Sequence, residues 1–504
     1  MKHSFTQPFK EMCIYSKNAT MKKLLSLLII TLFFVISCED QGMFYNDSSY
    51  PEPFSGDQYN EVTENPFLDV TEFPISTFSI DADGGSYSNV RRFLQQEAVL
   101  PPVNAVRTEE IINYFDMNYD DDFSTSPITI NGEITSCPWT NGHKLARIGI
   151  KGKDIDLTTV AGSNYVFLID VSGSMSSPDK LGLLKSGFKF LVDELNDDDI
   201  VSIVTYAGAD RVVLDGAPGS DKIRIKQAID DLGFGGGTAG ARGIVTAYEI
   251  AQSYYINNGN NRVILGTDGD FNIGVSDQEG LIELIEDKKE TGVFLTALGV
   301  GRGNLNEGTL EQLANKGNGT YEYIDKTEQL LKVFVHERNK FFTAAQDVKI
   351  QVEFSPTEVQ SYRLIGYANR LLQDDQFEDD EEDAGEIGRG QSITAFYEIV
   401  PASTAGSANQ PSLKVNLRYK EPVNSTSNLL VEELLDANLD FTVSSSQQKL
   451  GAAAASFGMN LRNSSYKGSF NYGDIEQVLQ SVQLSDPHGY IQEFKELVQL
   501  ADRL

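Results

Sequence analysis

Between Tyr165 and Arg338 short apolar runs alternate with stretches in which apolar residues recur every three or four positions. The runs predict strands at Tyr165–Ile169, Ile200–Thr205, Val263–Leu265, Val293–Val300 and Tyr321–Ile324. Helices are expected between and after them, at Lys180–Leu195, Lys222–Leu232, Ala241–Tyr255, Gln278–Lys289, Leu310–Asn315 and Glu328–Arg338. In the first, Leu181, Leu184, Phe188, Leu191 and Leu195 fall on one face, which a core must cover. Strand and helix in regular alternation predict an α/β fold with a doubly wound, mostly parallel sheet.

The flanks have a different period. Ile128–Thr135 and Lys144–Lys151 alternate apolar with polar residues, as half-buried strands do, and strands return at Val348–Phe354, Ser392–Val400 and Leu413–Tyr419 before a helical close from Leu450. Neither set alone has many strands with which to bury a face, so both are expected to pair in one β-sandwich around the α/β insertion. Upstream, the region from Phe78 to Asp116 reads as two helical pieces, Tyr87–Gln96 and Thr108–Phe115, parted by Leu100-Pro101-Pro102. Residues 39–65, rich in Ser, Pro, Asn, Tyr and acids without apolar periodicity, read as a tether.

Ahead of the tether, Met21-Lys22-Lys23 precedes an apolar run from Leu24 to Ile36, fit for a signal-peptide core and too short to span a bilayer, which needs roughly 20 residues. The polar residues before it make Met21 the expected start. Val35-Ile36-Ser37-Cys38 resembles the bacterial lipobox, imperfectly at Ile36. The resemblance implies a diacylglyceryl group on the Cys38 thiolate and a lipid-anchored, periplasm-facing or surface-exposed protein of the cell envelope, with inner or outer membrane left open. The expected divisions are a signal region 1–37, a tether 38–65, an N-terminal accessory region 66–157, the α/β domain 160–338 and a β-rich C-terminal domain with a helical end, 339–504.

Composition narrows the partners. Apolar residues at 40% suffice for several cores, while 73 acidic against 41 basic residues leave a net charge of -32, which repels nucleic-acid phosphates. Cys13 precedes the apolar run and Cys38 would carry lipid, so Cys137 is the one cysteine left in the exported portion and packing must replace disulfides. Nine of the thirteen residues from Asp374 to Glu386 are acidic, a pattern usual for a solvated loop and less often for a second cation site or docking strip.

Ligands in doubly wound sheets gather beyond the carboxyl ends of the strands. There the first strand runs into Asp170-Val171-Ser172-Gly173-Ser174, a DxSxS pattern that also occurs at Asp122-Phe123-Ser124-Thr125-Ser126 with no strand before it. The first copy is distinguished by its strand, by the helix after it, and by further oxygen donors at later junctions: Thr238 after Gly235-Gly236-Gly237, and Asp268 in Thr267-Asp268-Gly269-Asp270.

These three segments resemble the metal-ion-dependent adhesion site of von Willebrand factor A domains, with Asp170, Ser172, Ser174, Thr238 and Asp268 at the matching positions. Tyr87-Ser-Asn-Val-Arg-Arg-Phe-Leu, Glu109-Glu-Ile-Ile-Asn-Tyr-Phe, Tyr362-Arg-Leu-Ile-Gly-Tyr and Asp383-Ala-Gly-Glu-Ile-Gly are similar to a bacterial lipoprotein family built around that domain, with an uncharacterised C-terminal region. The resemblance implies that the serines ligate Mg2+, or Mn2+ or Ca2+, directly, that the threonine joins when ligand binds, and that the aspartates act through water. An octahedral cation with so few anionic ligands takes an Asp or Glu carboxylate of a partner protein. The implied function is cation-dependent adhesion or assembly without catalysis. The alternative is an envelope scaffold in which the metal only stabilises the fold.

Enzymatic readings lack parts. Gly235-x-Gly237-x-x-Gly240 follows an expected helix, whereas a dinucleotide loop follows a strand. No GxSxG elbow surrounds Ser174, and His3, His143, His336 and His488 contain no HExxH pair. A metal-activated water would need a general base, for which Asp270 is the nearby candidate.

Overall fold

The first α/β strand is buried at every position, Ser163–Asp170, because it lies in the middle of a sheet covered on both faces. That placement explains why its sequence is a continuous apolar run and not an alternation. The computed structural model describes residues 56–80, 83–119, 122–236, 240–269, 278–289, 291–403, 405, 410–422 and 426–504. Cys38, the apolar run before it, Thr238 and Asp270 lie outside these residues.

The central sheet has six strands in the order Tyr321–Ile324, Phe294–Val300, Asn260–Thr267, Ser163–Asp170, Ile200–Tyr206 and Asp210–Pro218. All neighbours are parallel except the last pair, so the sheet is mostly parallel with one antiparallel edge. That edge strand was not expected. It returns directly from its neighbour through a turn closed by Ala207 N–H on the Ala209 carbonyl at 3.2 Å, a connection only antiparallel strands permit. Leu184, Phe188, Leu191, Ile225, Leu330 and Phe334 cover one face of the sheet, and Ile244, Tyr248, Ile285, Leu310 and Leu313 the other. Phe188 stacks on Phe167 with ring centroids 4.4 Å apart. Each such fully buried side chain contributes about 1.5–3 kcal/mol.

The helix expected from Lys180 begins at Leu183, after a wide turn, Pro178–Gly182, in which Lys180 has φ -118° and ψ -105°. This displacement matters at the site below.

The flanking strands do join in one sandwich. One sheet runs Leu68–Asp69, Val359–Ile365, Ser392–Pro401, Lys144–Gly152 and Ile128–Ser136, antiparallel throughout, with Ile148 opposite both Ala395 and Gly132. The other runs Gly385–Gly388, Thr343–Phe354, Leu413–Lys420 and Asn428–Leu434, and Ile75–Ser79 also pairs with Thr343–Phe354. Val348, Ile350, Val352 and Phe354 point into the sandwich core, and Lys349, between them, faces the other way. The acidic run straps this outer face: Arg418 meets Asp380 at 3.3 Å, and Lys349 donates to the Gln376 carbonyl at 3.1 Å. It is therefore an ion-paired cover, neither a free loop nor, among the described residues, a metal cluster.

A helical layer closes the other side. Gly85–Arg92 and Thr108–Asn113 share one core with Ser446–Leu461, Tyr472–Gln480 and Tyr490–Arg503, through Tyr87, Ile111, Phe115, Phe457 and Phe494. Arg91 ties this layer to the α/β domain, meeting Asp325 at 2.5 Å and Glu493 at 2.8 Å. The expected tether is seated on the body from Gly56 onward: Gln58 N–H donates to the Leu305 carbonyl at 2.7 Å, and Asp57 pairs with Arg92 at 3.0 Å. Cys137 is buried, and burial pushes its thiol up to about 12.

Candidate metal centre

Strand order reverses direction at Ser163–Asp170, whose chain continues to one side through Ile200–Tyr206 and to the other through Asn260–Thr267. The crevice at the carboxyl ends of these strands is where such sheets hold ligands. Asp170 is the last residue of the first strand and Asp268 follows the last residue of its neighbour, so the topology brings together two carboxylates 98 positions apart.

Both carboxyl groups are buried, and their surroundings treat them differently. Asp170 accepts from the Ser172 backbone N–H at 2.8 Å and from the Thr267 hydroxyl at 3.1 Å. Burial pushes its pKa above the usual carboxylate value, with the negative charge of Asp268 adding to the rise. At Asp268 burial also acts upward, yet hydrogen bonds from Asn304, Lys180 and Ser174 outweigh it and hold the group below its ordinary value. The Lys180 ammonium lies 2.9 Å from Asp268 Oδ2 and 2.9 Å from Asn304 Oδ1, its side chain only 9% exposed.

Ser172 and Ser174 present their hydroxyl oxygens 2.9 Å apart from a short turn, Gly173–Ser176, anchored by fully buried Met175. Ser172 is buried and Ser174 exposed, so the pair leads from the carboxylates to solvent. Adjacent oxygens of an octahedron with metal–oxygen bonds of roughly 2.1 Å lie about 3 Å apart, so this spacing suits two neighbouring ligands of one small cation. It equally suits the hydrogen bond the two hydroxyls make.

The stem of the glycine loop lies against this turn. Gly235 N–H donates to the Val171 carbonyl at 2.8 Å, and Gly173 N–H to the Gly236 carbonyl at 3.4 Å. Gly236, two residues before Thr238, has φ +101°, which L side chains rarely adopt. The structure thus gathers Asp170, Ser172, Ser174 and Asp268, and describes the chain leading to Thr238 but not Thr238 itself. Among the described residues no cluster of three His, Cys, Asp or Glu side chains is placed to hold a metal, so a cation here would rest on hydroxyls. The hard oxygen set fits Mg2+ or Mn2+.

Lys180 and Asn304 were missed in the sequence. Lys180 lies in what reads as a helix start and Asn304 in a polar loop. No spacing signal links residues 124 positions apart.

The second DxSxS copy folds the same local turn, with Ser124 N–H donating to Asp122 at 3.0 Å, but its Ser126 hydroxyl bonds Tyr419 at 2.9 Å. His143 pairs with Glu398 at 2.7 Å, and His336 stacks on His488 with centroids 3.6 Å apart, so neither belongs to the crevice.

A doubly wound sheet with this constellation at its switch point is the class of von Willebrand factor A domains, and the pattern described as "von Willebrand factor type A domain" matches residues 164–337. A second, described as "von Willebrand factor", matches residues 53–147, and a third, "Uncharacterized protein YfbK, C-terminal", matches residues 339–504. The chain is 39% identical over 469 residues to "Uncharacterized protein YfbK" of Escherichia coli (strain K12), covering 88% of this chain and 81% of that one, and it belongs to this bacterial family. It is also 26% identical over 230 residues to the "Magnesium-chelatase 67 kDa subunit" of Chlorobaculum tepidum, covering 40% of this chain and 37% of that one. Among solved structures, "von Willebrand factor type A from Catenulispora acidiphila" is similar at 17% identity and a TM-score of 0.41, over 75% of this chain and 91% of that one. Proteins with this domain commonly mediate protein interactions or adhesion, often bind a divalent metal, and are generally non-enzymatic.

Proposed function

We propose that this chain is a lipid-anchored envelope protein that captures a partner protein through a divalent cation held at the crevice. The observation that carries the reading is the pair of Ser172 and Ser174 hydroxyls, 2.9 Å apart and opening to solvent in front of two buried carboxylates. When bound, Mg2+ or Mn2+ supplies an open coordination position for a carboxylate oxygen of the partner's Asp or Glu. Ser172 and Ser174 ligate the ion, Thr238 joins from the glycine loop, and Asp170 and Asp268 act through bound water. Asp170 meanwhile fixes the Ser172 backbone by accepting its N–H, which aims the hydroxyl. The lipid on Cys38 places the site at the membrane surface, and no catalytic step is assigned.

Isothermal titration of Mg2+ or Mn2+ into the purified chain tests the cation, and capture of partners from solubilised membranes with and without chelator tests the function. Equal titration into wild type and the Ser172→Ala/Ser174→Ala variant would overturn the site. Capture indifferent to chelator would leave the scaffold role in its place.

A further inference from the structure

We infer that Lys180 is a fixed counter-charge that leaves the centre with one positive charge in excess when a divalent cation binds, so that the site demands a carboxylate from outside. The inference rests on the cation reading above and concerns how that same site selects its partner.

The two buried carboxylates, Asp170 and Asp268, carry two negative charges, which alone would neutralise a divalent ion. Lys180 cancels one of them. Its ammonium bonds Asp268 Oδ2 at 2.9 Å inside the crevice. Among the described residues, nearby charged groups have partners of their own: Asp179 meets Arg302 at 4.0 Å, Asp57 pairs with Arg92 at 3.0 Å, and Arg242 meets Asp210 at 3.5 Å. With a divalent ion present, the two aspartates and Lys180 leave a net charge of about +1, and a single carboxylate completes the balance.

The chain holds Lys180 in this position deliberately, against its local preference. The residue leaves helical geometry, with φ -118° and ψ -105°, inside a turn between two helical segments. Its aliphatic stem crosses Gly301, where an added Cβ would lie 2.3 Å from the lysine Cε, so glycine there makes room for the crossing. Asn304 takes the second ammonium hydrogen at 2.9 Å, and the loop carrying Asn304 is itself pinned, because Asp57 accepts from Gly303 N–H at 2.7 Å and from Leu305 N–H at 3.2 Å. A surface lysine with four free rotors would not supply a charge at a constant place.

A counter-charge makes two affinities move in opposite directions, which a merely structural lysine does not. The full chain, purified in detergent, is titrated calorimetrically with Mg2+. At saturating Mg2+ it is then titrated with a short uncharged-flank peptide, acetyl-Gly-Glu-Gly-amide. Lys180→Gln removes the charge and keeps a donor for Asp268. Asn304→Asp adds one negative charge beside an intact Lys180, which tests the same idea without emptying the buried position. Both variants should bind Mg2+ tighter by about tenfold or more and the peptide weaker by a similar factor, while Ser124→Ala, in the second DxSxS copy, should leave both unchanged. Affinities that move together, or not at all, in Lys180→Gln and Asn304→Asp overturn the inference, as does a Ser124→Ala variant that reproduces their pattern. Failure of the wild type to take up Mg2+ would instead overturn the cation reading itself.

Discussion

Replacing both Ser172 and Ser174 by alanine should abolish cation-linked stabilisation, over and above a fixed cost in the metal-free protein. The backbone bond from Ser172 N–H to Asp170 survives substitution, but the two hydroxyls lie within bonding distance of each other, and Ser172 also bonds Asp170 and Ser174 bonds Asp268 through their side chains. The metal-free variant therefore loses the hydrogen bonds of both hydroxyls, about 0.5–1.5 kcal/mol each. Cation binding stabilises wild type by mass action, about 2.7 kcal/mol when free Mg2+ exceeds its dissociation constant by roughly a hundredfold. Urea unfolding with chelator and with excess Mg2+ separates the two contributions: the curves should part for wild type and coincide for the variant. The matched control is Ser124→Ala in the second DxSxS copy, which should retain the full Mg2+ response. Ser126→Ala is a poorer control because its hydroxyl bonds Tyr419 inside the sandwich. A double-serine variant that keeps the Mg2+-induced shift, or a Ser124→Ala variant that loses it, would refute the reasoning.

Asp268→Ala should behave differently from the serine pair, since it strands the buried Lys180 ammonium without its counter-ion; a cost of about 3–5 kcal/mol in the metal-free protein is expected, and a melting temperature equal to that of the serine variant would count against it. Glu307, fully enclosed beside Arg107 and Glu311, is raised to about 8, chiefly by burial. Because this acid titrates higher in the folded than in the unfolded chain, its contribution is complete below about pH 4.5 and declines as pH rises toward 8. Glu307→Gln should therefore be more stable relative to wild type at pH 8.5 than at pH 5, by a few kcal/mol, and urea midpoints that differ equally at both pH values would contradict it. Cys38→Ser should release the folded protein from membranes, measured by fractionation, and retention of the variant would argue against the lipid anchor.

Local sequence determined those features whose cause is local. The buried run Tyr165–Ile169 and the three- and four-residue spacing of Leu184, Phe188 and Leu191 set strand and helix from neighbouring residues, and parallel strands separated by helices leave few topologies. Asp170, Ser172 and Ser174 were legible for the same reason, since one turn brings them together directly after a strand. Their chance copy at Asp122 shows the limit of that information: it folds the same turn with Ser124, but its Ser126 hydroxyl bonds Tyr419, whereas the neighbouring strand delivers Asp268 to the first copy. The antiparallel edge Asp210–Pro218 was not legible, because its pattern is mixed and its pairing follows from the turn at Ala207–Ala209. The union of the first helices with the last three around Tyr87 and Phe494 also escaped, because chain ends carry no mark of which distant apolar face will cover theirs. Lys180 is the sharpest case. As sequence it is an ordinary first-turn lysine, and only the tertiary structure, by bending its backbone out of the helix and carrying Asp268, Gly301 and Asn304 to it, turns a solvent-seeking charge into a buried one, for burial and pairing of a charge depend on contacts that no local pattern encodes.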